Sequence, residues 1–71
     1  MTLRVLLVED SRVLAERLRE SLDGLEDVVV VGVVADESSA VAAVREQRPD
    51  VIVLDLQLKT GTGFGVVQKL G

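Results

Sequence analysis

The chain has 71 residues and a mass of 7.6 kDa, which is enough for one small domain. It contains no cysteine and no histidine, which excludes disulfides, thiolate metal sites and histidine-based acid–base or nucleophilic chemistry. With 12 acidic against 8 basic residues, a net charge of −4 and Phe64 as its sole aromatic, it offers neither a general grip on nucleic-acid phosphates nor a base-stacking platform.

Hydrophobic residues make up 48% of the chain, which favours a packed core over disorder. A chain this size buries only about 60% of its extended surface, so good helices or a partner are expected to help it fold. The longest apolar runs, Val28 to Val31 and Val51 to Leu54, are too short to cross a bilayer. The N-terminal stretch has one basic residue before it meets Glu9, unlike a signal peptide, so the expected compartment is the cytoplasm, with no membrane contact.

In chain order, Leu3 to Val8 is a short apolar run broken only by Arg4, and it reads as a buried strand. Ser11 to Leu22 reads as a helix: Leu14, Leu18 and Leu22 recur every four residues, beside Val13, as its core-facing side. Asp10 or Ser11 caps its start and Gly24 ends it. Val28 to Val34 is a second apolar strand, containing Gly32. Asp36 then offers an N-cap for a helix over Glu37 to Gln47, with Ala40, Val41 and Val44 on one face and Pro49 as its stop. Val51 to Leu54 is a third strand ending at Asp55, and Leu56 to Gly63 is a loop. Phe64 to Leu70 fits two turns of a third helix. The pattern βαβαβα implies an α/β fold whose parallel sheet has helices on both faces.

In a parallel sheet all strands finish on one edge, and ligands bind in the crevice outside those ends. The first strand ends in Glu9-Asp10 and the third in Asp55. If these strands are neighbours, three carboxylates meet there. Such a cluster is repulsive without a cation, and an open oxygen-only site suits Mg²⁺. A carboxylate beside that metal can act as a nucleophile towards a phosphoryl group.

Several segments together resemble the receiver domain of two-component response regulators, the family that includes the stand-alone chemotaxis regulator. They are Val5-Leu6-Leu7-Val8-Glu9-Asp10-Ser11, the helix after it, Arg48-Pro49-Asp50-Val51-Ile52-Val53-Leu54-Asp55-Leu56, and Gly63 eight residues past Asp55. The resemblance runs the length of residues 1–71 and implies a partial flavodoxin-like fold with a three-stranded sheet of order 2-1-3. It implies that Asp55 is the phosphoacceptor and that Asp10 and Asp55 are direct Mg²⁺ ligands. It further implies that the Gln57 backbone carbonyl is a third ligand and that Glu9 acts through water. The implied phosphoryl donor is a sensor histidine kinase. Lys59 stands where the family commonly has proline, and it could contact a phosphoryl group.

Receivers of this type have about five strands, and this sequence holds about three of the βα units. The family's phosphoryl-sensing Ser/Thr, its catalytic lysine and its switch aromatic lie on later strands. Phosphotransfer by these 71 residues is therefore expected to be impaired.

Two other classes compete with this one. An apolar third strand left at the sheet edge is a template for pairing with another chain, which predicts a non-catalytic assembly module that forms homodimers or larger oligomers. A nucleotide-binding domain is disfavoured, because the first βα turn carries Glu9-Asp10 in place of glycines. Gly61 and Gly63 fit turn geometry better than a phosphate cradle, and Asp36 fits a plain helix cap.

Overall fold

The computed structural model describes residues 1–54 and Lys69. Its elements are β1 (Leu3–Val8), α1 (Arg12–Asp23), β2 (Val28–Val34), α2 (Glu37–Gln47) and β3 (Val51–Leu54). The strands form one sheet with both pairings parallel, as the alternating pattern predicts, in the order β2-β1-β3 that the resemblance implies. The predicted loop Leu56 to Gly63 lies outside the described residues, and so does the predicted third helix apart from Lys69, which is helical.

Short β-branched runs form strands because branched side chains pack well on a pleated, half-buried surface. β1 is the central strand, and Val5, Leu6, Leu7 and Val8 are all buried. Its side chains alternate between two layers. Leu6 and Val8 pack with Ala40 and Val41 of α2, backed by Val34, Val44, Ile52 and Leu54. Val5 and Leu7 point to the other layer, that of α1.

The β1–β2 register slips by one residue. Val5 lies opposite Val30 but Leu6 lies opposite Gly32, so Val31 is left as a bulge. Gly32 then sits under Leu6, where an added Cβ would lie 3.1 Å from Leu6 Cδ1. The absence of a side chain there lets Leu6 lie over β2.

Both helices are capped as their polar residues suggest. The Ser11 hydroxyl accepts from the Leu14 N–H at 3.3 Å, which selects Ser11 over Asp10 as the cap of α1. The Asp36 carboxylate accepts from the Ser39 N–H at 2.7 Å and from the Ser39 hydroxyl at 3.1 Å. α2 ends at Arg48, which takes the left-handed conformation (φ 48°, ψ 61°) and donates its N–H to the Val44 carbonyl. Before Pro49, helical geometry is disfavoured.

The packing of α1 departs from expectation. Only Ala15 is buried, while Leu14 and Leu18 remain 51% and 37% exposed. The helix rests on β2 and β1, and the apolar stripe read as core-facing is only partly covered.

At the opposite edge from the strand ends, Arg4 fastens β3 to β1. Its N–H donates to the Asp50 carboxylate at 2.9 Å, its carbonyl accepts from the Asp50 N–H at 2.8 Å, and its guanidinium donates to the Arg48 carbonyl at 3.2 Å.

Candidate functional site

β1 delivers Glu9 and Asp10 directly from a buried strand to the carboxyl edge of the sheet. Glu9 still belongs to the ladder through its backbone, whose N–H donates to the Val34 carbonyl at 2.9 Å. Its side chain is half-buried, and Oε1 accepts from the Ser11 N–H at 3.1 Å. Asp10, one residue on, is exposed. The two carboxylates therefore differ: Glu9 is tied to the turn that starts α1, and Asp10 is open to solvent.

On the neighbouring strand, Val8 pairs with Leu54. Asp55 follows Leu54 in the chain, and consecutive Cα atoms are about 3.8 Å apart. Asp55, Gln57 and Lys59 themselves lie outside the described residues. Among the described residues no three carboxylates converge. The described half of the predicted cluster is thus the Glu9–Asp10 pair, at the point where the chain order reverses from β2 to β3 about β1.

A groove of about 570 Å³ opens beside this pair, lined by Glu9, Asp10, Arg12, Ala15, Glu16, Arg19, Val33, Val34 and Ala35. It runs between α1 and the end of β2, on the far side of β1 from β3, so it flanks the switch-point crevice. Arg12, Glu16 and Arg19 recur at helical spacing on one face of α1. That spacing is visible in the sequence, but nothing in the sequence pattern marks a groove beside it. The Arg19–Asp23 pair, at 3.8 Å with both side chains half-exposed, is worth little.

Beyond this edge, Asp36 has a perturbed carboxyl. Hydrogen bonds from the Ser39 backbone and side chain hold it below the usual aspartate range. Its hydrogen bonds serve the start of α2, in keeping with its reading as a cap.

A sequence profile described as response regulator receiver domain matches residues 5–71. The chain belongs to the response regulator receiver family. The receiver is 38% identical over 68 residues to the transcriptional regulatory protein BtsR of Salmonella typhi, covering 96% of this chain and 28% of that protein. It is 41% identical over 69 residues to protein-glutamate methylesterase/protein-glutamine glutaminase 6 of Anaeromyxobacter dehalogenans, covering 97% of this chain and 20% of that protein. The response regulator domain of Thermotoga maritima CheB superposes with a TM-score of 0.92 at 32% identity, over 96% of this chain and 51% of that one. The receiver therefore spans about half of that solved domain and under a third of these two curated relatives. Among the described residues no helix is long and apolar enough to cross a membrane.

Receivers generally use Mg²⁺, and the described Glu9 and Asp10 fit such an ion: both offer carboxylate oxygens, and Asp10 is exposed at the strand edge, as suits a hard and strongly hydrated cation.

Proposed function

We propose that this chain is the phosphoacceptor portion of a cytoplasmic two-component receiver, with Asp55 taking a phosphoryl group from a sensor histidine kinase. In this reading an Asp55 carboxylate oxygen forms a bond to phosphorus as the phosphorus–nitrogen bond of the donor phosphohistidine breaks. The leaving imidazole keeps that electron pair, and the product is an acyl phosphate. Asp10, Asp55 and the Gln57 carbonyl would hold Mg²⁺, and Glu9 would act on it through water. The bound ion supplies charge neutralisation for the transferring phosphoryl oxygens. Glu9, fastened to the Ser11 N–H, keeps the turn after β1 in place so that Asp10 stays at the edge. Lys59 adds positive charge beside the phosphoryl group.

The observation that carries this reading is the β1–β3 register. Val8 pairs with Leu54, so Glu9-Asp10 and Asp55 directly follow paired residues on adjacent parallel strands. These 71 residues hold no counterpart of the family's later-strand lysine, so labelling of the isolated chain is slow.

Two measurements test this. Mg²⁺ titration followed by amide chemical shifts should move Asp10 and leave α2 unchanged, with weak, millimolar-range affinity that Asp10→Asn abolishes. Incubation with acetyl phosphate and Mg²⁺ should give slow single phosphorylation that is absent in Asp55→Asn. An unmoved Asp10 amide refutes the metal site, and labelling that survives Asp55→Asn refutes the acceptor assignment.

The outer edge of β3 favours a second reading, assembly of copies of this chain into a homodimer. Among the described residues β3 pairs only with β1. Sedimentation as a folded monomer across the micromolar range would remove this reading and leave the first intact.

A further inference from the structure

We infer that Asp50, at the end of β3 far from the site, is a positioning residue: it closes the β1–β3 ladder on Arg4 and so holds Asp55 level with Asp10. This rests on the phosphoacceptor reading above and adds the residues that keep the two halves of that site in step.

The closure is built on the backbone of Arg4. The Asp50 N–H donates to the Arg4 carbonyl at 2.8 Å, and the Asp50 carboxylate accepts from the Arg4 N–H at 2.9 Å. In a parallel ladder that Arg4 N–H would go to the carbonyl two residues before Asp50, which is that of Arg48. Arg48 is the left-handed cap of α2, and its carbonyl instead accepts from the Arg4 guanidinium at 3.2 Å. The Asp50 side chain thus stands in for a ladder carbonyl, and one residue meets both backbone groups of Arg4. The guanidinium also donates to the Gln47 side chain at 3.4 Å, so Arg4 gathers the end of α2 and the start of β3 together.

The apolar strand does not supply this register by itself. Val51 to Leu54 pair in order with Val5 to Val8. Side chains alternate with period two, so burial opposes a slip of one residue, but a slip of two keeps every side chain on its own face. Such a slip would carry Asp55 about 6–7 Å along β1. Two oxygens on one Mg²⁺ lie at most about 4.2 Å apart. On the other side of β1 a run of valines does change register, between Val5 and Leu6. Between β1 and β3 the register is unbroken, and it starts from the one pair of residues that can meet only in this alignment, Arg4 and Asp50. That pair lies about 13 Å along the strand from Val8.

Asp50→Ala removes the carboxylate that accepts from Arg4 and keeps the backbone N–H, whereas Asp50→Asn keeps an acceptor oxygen. Asp36→Ala, which removes the cap of α2, controls for lost stability alone. Mg²⁺ titrations of the full chain, read from the Asp10 amide of the folded species, should show about tenfold weaker binding in Asp50→Ala. Asp50→Asn and Asp36→Ala should bind as the wild type does. If Asp50→Ala fails to fold, linkage provides the test in the wild-type chain, because an ion that depends on the closure must also favour it. Mg²⁺ at about ten times its dissociation constant should slow hydrogen exchange of the Arg4 and Asp50 amides about tenfold and leave the Ser39 amide of α2 unchanged. Unaltered affinity in Asp50→Ala, equal weakening in Asp36→Ala, or exchange that Mg²⁺ slows no more at Arg4 and Asp50 than at Ser39 overturns the positioning role and leaves the metal reading intact. A wild-type Asp10 amide that Mg²⁺ does not move overturns the metal reading and this inference with it.

Discussion

The contact between Gly32 and Leu6 can be tested by a double-mutant cycle. Gly32 has no positive φ, so alanine there is conformationally free, and replacing glycine within a strand normally stabilises by about 0.5–1 kcal/mol. The added Cβ, however, would lie 3.1 Å from Leu6 Cδ1, and Leu6 is fully buried against Ala40 and Val41. Leu6 cannot swing away without disturbing the α2 layer, so overpacking of about 1–3 kcal/mol outweighs the backbone gain. Gly32→Ala alone should therefore destabilise the chain. Leu6→Val removes the offending Cδ1 and suits a strand, at a cost of about 1 kcal/mol for the lost methylene. In that background Gly32→Ala should become neutral or stabilising, which gives a coupling of about 1–3 kcal/mol. The chain has no Trp or Tyr, so urea unfolding is best followed by far-ultraviolet circular dichroism. Additivity within about 0.5 kcal/mol would show that Leu6 does not depend on the missing side chain, and the packing argument would fail.

Three further outcomes follow from the capping residues. Ser11→Ala removes the acceptor for the Leu14 N–H and should cost about 1 kcal/mol in urea unfolding, with Ser11→Asp restoring most of it. Arg48→Gly relieves a left-handed residue while keeping the carbonyl that accepts from Arg4, so it should stabilise by about 0.5–1 kcal/mol; a loss of stability would contradict this. Asp36 has a folded-state pKa below its unfolded value, so its contribution is fully present above the ordinary aspartate pKa of about 3.9 and is lost as pH falls through the folded value. Acid unfolding should accordingly be less steep in Asp36→Asn, and an identical acid limb would refute the assignment.

Much of the fold was legible because its punctuation is strong. β2, α2 and β3 have the bounds expected from their apolar runs, Asp36 and Pro49. The bulge at Val31 was not legible: four consecutive valines look alike to a pattern, and the slip is visible only in that Gly32, the residue after them, lies opposite Leu6. α1 shows a second limit. The spacing of Leu14, Leu18 and Leu22 identified an apolar face correctly, but periodicity does not reveal what covers that face, and only Ala15 is buried. At the site, the position of Glu9 and Asp10 was readable from where the run stops. The tie from Glu9 to the Ser11 N–H was not, because backbone donors leave no trace in side-chain pattern. Asp55, Gln57 and Lys59 fall outside the described residues, so their assignment rests on the sequence and the family.

The candidate site and the candidate interface have a common origin in the order β2-β1-β3. Placing β1 in the middle buries Val5 to Val8 and so anchors Glu9 and Asp10 to the most enclosed segment of the chain. The same order sets β3 beside β1, with Leu54 paired to Val8, which the carboxylate cluster requires. It also leaves β3 with one partner strand among the described residues, and its apolar side chains have no charge to guard them. Moving β3 to the β2 side would separate the acids, and guarding its edge with lysine or proline would interrupt the run that leads into Asp55. An acidic crevice at the end of β1 and an outer β3 edge that meets no second strand among the described residues are therefore two results of one topology.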